Sequence, residues 1–202
     1  QVYLHKTVLS AEYLLVNILK RAKDLCFTPN PSPRGEGRKG RGNEKLFCTP
    51  ALHEFLYNHH GKSAFSKKPE LLKTFSELDD NDIFTSVKVW QNHSDFILSS
   101  LCKGMVNRKL YKVLIQNEPF DEKKVSDLKK KVQKKYKLTS AEADYFVFSL
   151  PVTNDAYRPD KIRINILFKD GKTADIAQAS DQAYLAGLKT VKKYFLCFPK
   201  EI

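Results

Sequence analysis

The stretch Leu4-His5-Lys6-Thr7-Val8-Leu9-Ser10-Ala11-Glu12-Tyr13-Leu14-Leu15-Val16-Asn17-Ile18-Leu19-Lys20-Arg21-Ala22-Lys23-Asp24-Leu25 decides the fold class. Apolar residues recur at Leu4, Val8, Ala11, Leu15, Ile18, Ala22 and Leu25, alternately four and three apart, which is the spacing of a helix packed along its length. Leu9, Tyr13, Leu14, Val16 and Leu19 widen that seam and predict a helix buried on most sides. The pattern is already running at Gln1-Val2-Tyr3, with no initiating Met and no start signal before it, so it reads as the continuation of a preceding segment. At about 100° per residue, Tyr3 and His5 stand roughly 200° apart on opposite flanks of Leu4, where they would touch different ligands.

Outward from this helix, start signals recur. Thr49 followed by Pro50 predicts a capped helix over Pro50-Ala51-Leu52-His53-Glu54-Phe55-Leu56. Asp79-Asp80-Asn81-Asp82 precedes Ile83, Val87 and Trp90 at helical spacing. The acidic cluster invites a metal reading, but its simpler role is to accept the free N–H groups at a helix start. Ser94-Asp95 opens another helix that ends near Asn107. Asp121 and Glu122, followed by lysines, predict a helix to Lys137 with a narrow apolar edge of Val125, Leu128 and Val132.

The last third changes character. Tyr145-Phe146-Val147-Phe148 reads as a buried strand, and Ile162, Ile164, Ile166 and Phe168 alternate with other residues as a second strand. Asp170-Gly171 marks a hairpin turn into Thr173 to Ala177. Asp181 to Leu188 predicts a short helix and Val191 to Phe198 a further strand. The expected fold is mostly α with a C-terminal α+β region. Its parts are a long helix over 1–26, a basic loop over 27–46, a helical region over 47–112 and a small α+β region over 113–202.

Three segments carry a family likeness: Tyr3-Leu4-His5-Lys6-Thr7-Val8, Leu78-Asp79-Asp80-Asn81-Asp82-Ile83-Phe84 and Asn107-Arg108-Lys109-Leu110-Tyr111-Lys112. In that order they resemble the C-terminal half of the HD-domain deoxynucleoside triphosphate triphosphohydrolases, bacterial relatives of the vertebrate SAM-and-HD-domain enzyme. The resemblance implies that the chain is the C-terminal part of an HD-domain phosphohydrolase converting a dNTP to deoxynucleoside and tripolyphosphate. It implies a divalent metal ion held by a His, a His-Asp pair and a further Asp, all in the preceding N-terminal HD half. By position, it makes Tyr3 a substrate-pocket residue, and His5, Lys6, Arg108 and Lys112 contacts to an activating nucleotide. It also implies a homo-oligomer, with a tetramer as the expected form.

The residues themselves set limits on that likeness. No His in the chain is followed directly by Asp, and His53-Glu54 lacks the second His of a zincin helix. The family's metal chemistry therefore needs the preceding half. Arg108 and Lys112, four apart, share a face in either helix or strand, and forked and point-charge donors together suit phosphate. Without the likeness, they read as an ordinary exposed pair.

Thirty-five Lys and Arg against 23 Asp and Glu give a net charge of +12, which favours polyanionic partners. Five basic residues against two acidic fall between Arg34 and Lys45, in a Pro- and Gly-rich stretch that can sustain neither helix nor strand. This stretch is either a surface insertion or an arm that orders over phosphates or a neighbouring subunit. Eight lysines against three acids fall between Asp121 and Lys137, forming either a solvated helix face or a nucleic-acid-binding one. A single-stranded nucleic-acid-binding module is therefore the rival reading, weakened by the lack of an aromatic stacking array. A third reading is a scaffold that only oligomerises. Cys26, Cys48, Cys102 and Cys197 have no metal or redox spacing and read as reduced thiols. No apolar run approaches the roughly 20 residues needed to span a bilayer. No membrane partner is expected, and the expected location is the cytoplasm.

Overall fold

The computed structural model describes residues 5–27, 45–154, 164–179 and 191–202. Tyr3, the basic stretch 34–44, Ile162 and the helix expected over 181–188 lie outside them. The chain runs α1 (Lys6–Phe27), α2 (Pro50–Tyr57), α3 (Lys62–Lys67), α4 (Pro69–Glu77), α5 (Asp80–Trp90), α6 (Phe96–Val106), β1 (Lys112–Gln116), α7 (Glu122–Tyr136) and α8 (Ser140–Ala143). It continues through β2 (Phe148–Asn154), β3 (Asn165–Leu167), β4 (Thr173–Asp175), α9 (Ile176–Ala179) and β5 (Val191–Phe198). The fold is mostly α with an α+β C-terminal region, as the sequence predicts.

α2, α5, α6 and α7 begin where a side chain caps them. Thr49 Oγ1 accepts the Leu52 N–H, and Asp95 Oδ1 accepts the Leu98 N–H at 2.8 Å. Asp79 and Asp82 form a reciprocal capping box on α5, so the acidic cluster serves the helix start. Asn81 and backbone N–H groups donating to Asp79 hold its carboxyl below the usual range. Asp121 caps α7 by accepting the Lys123 N–H.

α1 corrects the expected seam. Its buried residues are Leu9, Ser10, Leu14, Asn17, Ile18, Arg21 and Ala22, whereas Val8 is 46% exposed and Val16 36%. The buried face is thus rotated from the expected one, and the helix is not enclosed on most sides. Three polar residues share the face because each finds a partner there. Ser10 Oγ donates to Tyr111 O at 3.2 Å, Asn17 Nδ2 to Tyr145 O at 3.1 Å, and Arg21 to Asp95.

β5 lies between β1 and β2 in a sheet of order β1-β5-β2, antiparallel to both. On one sheet face Leu9 packs with Val113, Phe195 and Cys197, and Tyr13 meets Phe195 with ring centroids 4.6 Å apart. The other face joins a core in which Leu14 and Ile18 of α1 meet Trp90, Leu98, Leu101, Val132, Phe146 and Leu196. Helices and sheet thus share buried apolar surface, the main source of stability.

The strand expected over 145–148 begins only at Phe148. Phe146 and Val147 are buried as expected, but their N–H groups donate to Ala143 O and close the turn after α8. A buried apolar run does not by itself separate a strand from a packed turn. The Asp170-Gly171 hairpin joins β3 to β4, with Gly171 at φ 82°, the left-handed conformation glycine tolerates best. No helix among the described residues is long and apolar enough to cross a membrane.

Candidate nucleotide-contact site

α1 and α6 run side by side in opposite directions. Arg21 meets Asp95 at one end, and Ser10 meets the Tyr111 carbonyl at the other. Between them Gly104 passes close to α1, where a Cβ would stand 3.5 Å from Leu14 Cδ2. Following α1 back from Leu14 to Lys6 covers about 12 Å, and following α6 from Gly104 to Arg108 about 6 Å, both toward the same end. The fold therefore places His5, Lys6 and Arg108 at one end of the α1–α6 pair, and Lys112 follows Tyr111 there with its side chain on the sheet face opposite the one that Leu9 covers.

His5 stands at the helix start. Its carbonyl accepts the Leu9 N–H at 3.1 Å, and its Nδ1 accepts the Thr7 N–H at 3.3 Å. In the neutral ring the proton then resides on Nε2, the nitrogen left for a ligand. Lys6 is the first residue of α1 and is exposed. Its charge stands beside the positive end of the helix dipole, a combination suited to an anion.

Arg108 and Lys112 do not share one regular element, which corrects the geometry expected of them. Arg108 has φ 54°, in the left-handed region, and Lys112 opens β1. The Arg108 N–H donates to Met105 O at 3.2 Å and the Lys109 N–H to Gly104 O at 2.8 Å. These two bonds are the Schellman ending of a helix, which turns the chain sharply at Arg108. Both side chains are exposed, and Lys112 Nζ stands 5.8 Å from the Phe198 ring centroid. The Phe198 contact was not legible in the sequence, because nothing local pairs residue 112 with residue 198.

His53, His59 and His60 have local partners. His60 Nε2 is 2.8 Å from Glu54 Oε1, His53 stacks on Tyr57, and His59 stacks on Phe27. Among the described residues no three His, Cys, Asp or Glu side chains converge to hold a metal ion. An open cleft of about 570 Å³ between α7 and β2 is lined by Phe120, Val125, Lys129, Leu150 and Tyr194 among others, and by none of the four nucleotide-contact candidates.

The chain resembles a phosphohydrolase of known structure from Bacteroides thetaiotaomicron VPI-5482. The two are 40% identical with a TM-score of 0.70, covering 97% of this chain and 45% of that one. The uncharacterized protein YwfO of Bacillus subtilis (strain 168) is 24% identical over 209 residues, covering all of this chain and 42% of YwfO. The chain therefore spans less than half the length of either relative. No family model matches it.

Proposed function

We propose that this chain is the C-terminal half of a metal-dependent deoxynucleoside triphosphate triphosphohydrolase of the HD-domain family. The observation that carries the reading is the 40% identity to a phosphohydrolase along 97% of this chain, with a matching fold. The motifs at Tyr3 to Val8, Leu78 to Phe84 and Asn107 to Lys112 narrow phosphohydrolase to the dNTP-cleaving class by resemblance. The divalent metal would be held by the preceding half, which performs the hydrolysis in the cytoplasm.

In this reading Tyr3 completes the substrate pocket. His5 and Lys6 at the helix start, with Arg108 and Lys112 at the same end of the α1–α6 pair, hold the triphosphate of an activating nucleotide. Arg108 supplies a forked donor and Lys6 and Lys112 supply point charges, a set that matches phosphate oxygens. The site lies at an interface between copies in a homo-oligomer, with a tetramer as the expected form.

The test uses protein carrying both halves. Tripolyphosphate release from each dNTP is measured with and without a second nucleotide. Release that the second nucleotide stimulates is expected, with Arg108→Ala and Lys112→Ala raising the activator concentration needed. Absence of a His, a His-Asp pair and a further Asp from the preceding half would sink the proposal, as would the absence of tripolyphosphate.

A further inference from the structure

A second cationic feature lies on the α7 side of the sheet. Lys112 and Phe198 are directly opposite one another on β1 and β5, so both side chains leave the same sheet face. Phe198 lines a groove of about 410 Å³ with Asp121, Lys123, Lys124, Asp127, Leu128 and Lys131. Lys124 and Lys131 are two helical turns apart on one face of α7, about 10 Å along its axis. The groove's own cations thus come from α7, and Lys112 of β1 stands beside it, with Nζ 5.8 Å from the centroid of the Phe198 ring that forms one wall.

Its carboxylates are already engaged. Asp121 Oδ1 accepts the Lys123 N–H at 3.1 Å, and Asp127 Oδ1 is 3.7 Å from Lys130 Nζ. Among the described residues Lys112, Lys124 and Lys131 have no ion-pair partner. Unpaired ammonium groups brought into one groove repel each other until an anion enters.

The Phe198 ring decides what kind of anion. The ring that lines the groove, Phe198, is 7% exposed, and Lys112 Nζ stands 5.8 Å from its centroid. Sites for single-stranded nucleic acid present accessible ring faces on which bases stack. Here the lining ring is buried and an ammonium group stands over it. We infer that this groove binds a bare phosphate chain, linear inorganic polyphosphate, gripped at Lys124 and Lys131 along α7 and at Lys112 beside Phe198.

Lys112 also belongs to the nucleotide site proposed above, so the test rests on Lys124 and Lys131, which that proposal does not use. Calorimetric titration of the full chain at fixed salt compares orthophosphate, tripolyphosphate, long linear polyphosphate and an oligothymidylate of matched charge. Affinity is expected to rise with phosphate chain length, because only a longer chain bridges the two lysines. Lys124→Gln and Lys131→Gln are each expected to weaken long polyphosphate about tenfold, the loss typical of one charge-assisted contact. Lys134→Gln removes the same charge outside the groove and is expected to weaken it less than about twofold. The inference is overturned if Lys134→Gln weakens binding as much as the groove variants. It is equally overturned if oligothymidylate binds more tightly than polyphosphate, or if long polyphosphate does not bind.

Discussion

Arg21 of α1 holds Asp95 with two parallel bonds, Nε to Oδ1 at 3.1 Å and Nη2 to Oδ2 at 2.7 Å, while Asp95 Oδ1 also accepts the Leu98 N–H that starts α6. One carboxylate thereby fixes the start of one helix and locks it to another. Both side chains are largely withdrawn from water, at 9% and 16% exposure.

Asp95→Asn keeps a helix cap but leaves the Arg21 charge without its counter-ion. A loss of about 3 kcal/mol is expected, the usual cost of removing one partner from a buried pair. The chain's one tryptophan, Trp90, is buried and donates to Phe47 O at 2.8 Å, so its fluorescence in urea reports the unfolding midpoint. An unchanged midpoint would show that the pair contributes nothing net.

Arg108 occupies a left-handed position where glycine is the common residue. Arg108→Gly relieves the contact between Cβ and the backbone, and stabilisation of up to about 1 kcal/mol is expected. The same variant loses the guanidinium proposed to hold the activating nucleotide. A variant that melts higher yet responds less to nucleotide would separate fold from function at this residue. One that melts lower would mean the side chain stabilises the turn.

The four cysteines should differ in reactivity. Burial pushes the Cys102 and Cys197 thiols up to about 12, and both are enclosed. Burial also raises Cys26 and Cys48, but both remain partly open to solvent. Because the thiolate is the reacting form, alkylation of native protein at mildly alkaline pH should label Cys26 and Cys48 first. Peptide mass spectrometry checks the order. Labelling of Cys102 or Cys197 before unfolding would contradict this packing.

Tyr136 donates its hydroxyl to Glu201 Oε1 at 2.6 Å, and this bond is the chief cause holding the Glu201 carboxyl below its ordinary range. A depressed carboxylate adds stability that is present above its unfolded pKa and lost as pH falls through the folded one. The stability difference between the native protein and Tyr136→Phe should therefore be fully developed above about pH 5 and shrink on acidification. It should stay under about 1 kcal/mol, because the pair is open to water. Urea midpoints across the acid range check this, and a difference that grows as pH falls would contradict it.

Four helix starts were legible because capping is local: Thr49, Asp79, Asp95 and Asp121 each act within three residues. The buried face of α1 was not, because Ser10, Asn17 and Arg21 look solvent-facing until Tyr111, Tyr145 and Asp95 are placed beside them. Arg108 carried no turn signal, since the Schellman ending there uses no glycine. His5, Lys6, Arg108 and Lys112 were picked out by resemblance, and their placement at one end of the α1–α6 pair came only with the fold. Lys112 facing Phe198 depends on strand register, which no local pattern encodes.

The position of β5 in its sheet has a consequence during synthesis. β5 follows every other described strand in the chain, yet it is the one that both β1 and β2 pair with. A ribosome that has delivered β1 and β2 has made two ribbons with no partner between them, and Leu9, Tyr13 and Val113 still lack the Phe195 and Cys197 that cover them. The helical part can collapse while translation continues, but the sheet must close in one late step when β5 emerges. Until then two strand edges and the apolar face of Leu9 and Val113 stay uncovered, so the most aggregation-prone interval is the time taken to make the residues between β2 and β5.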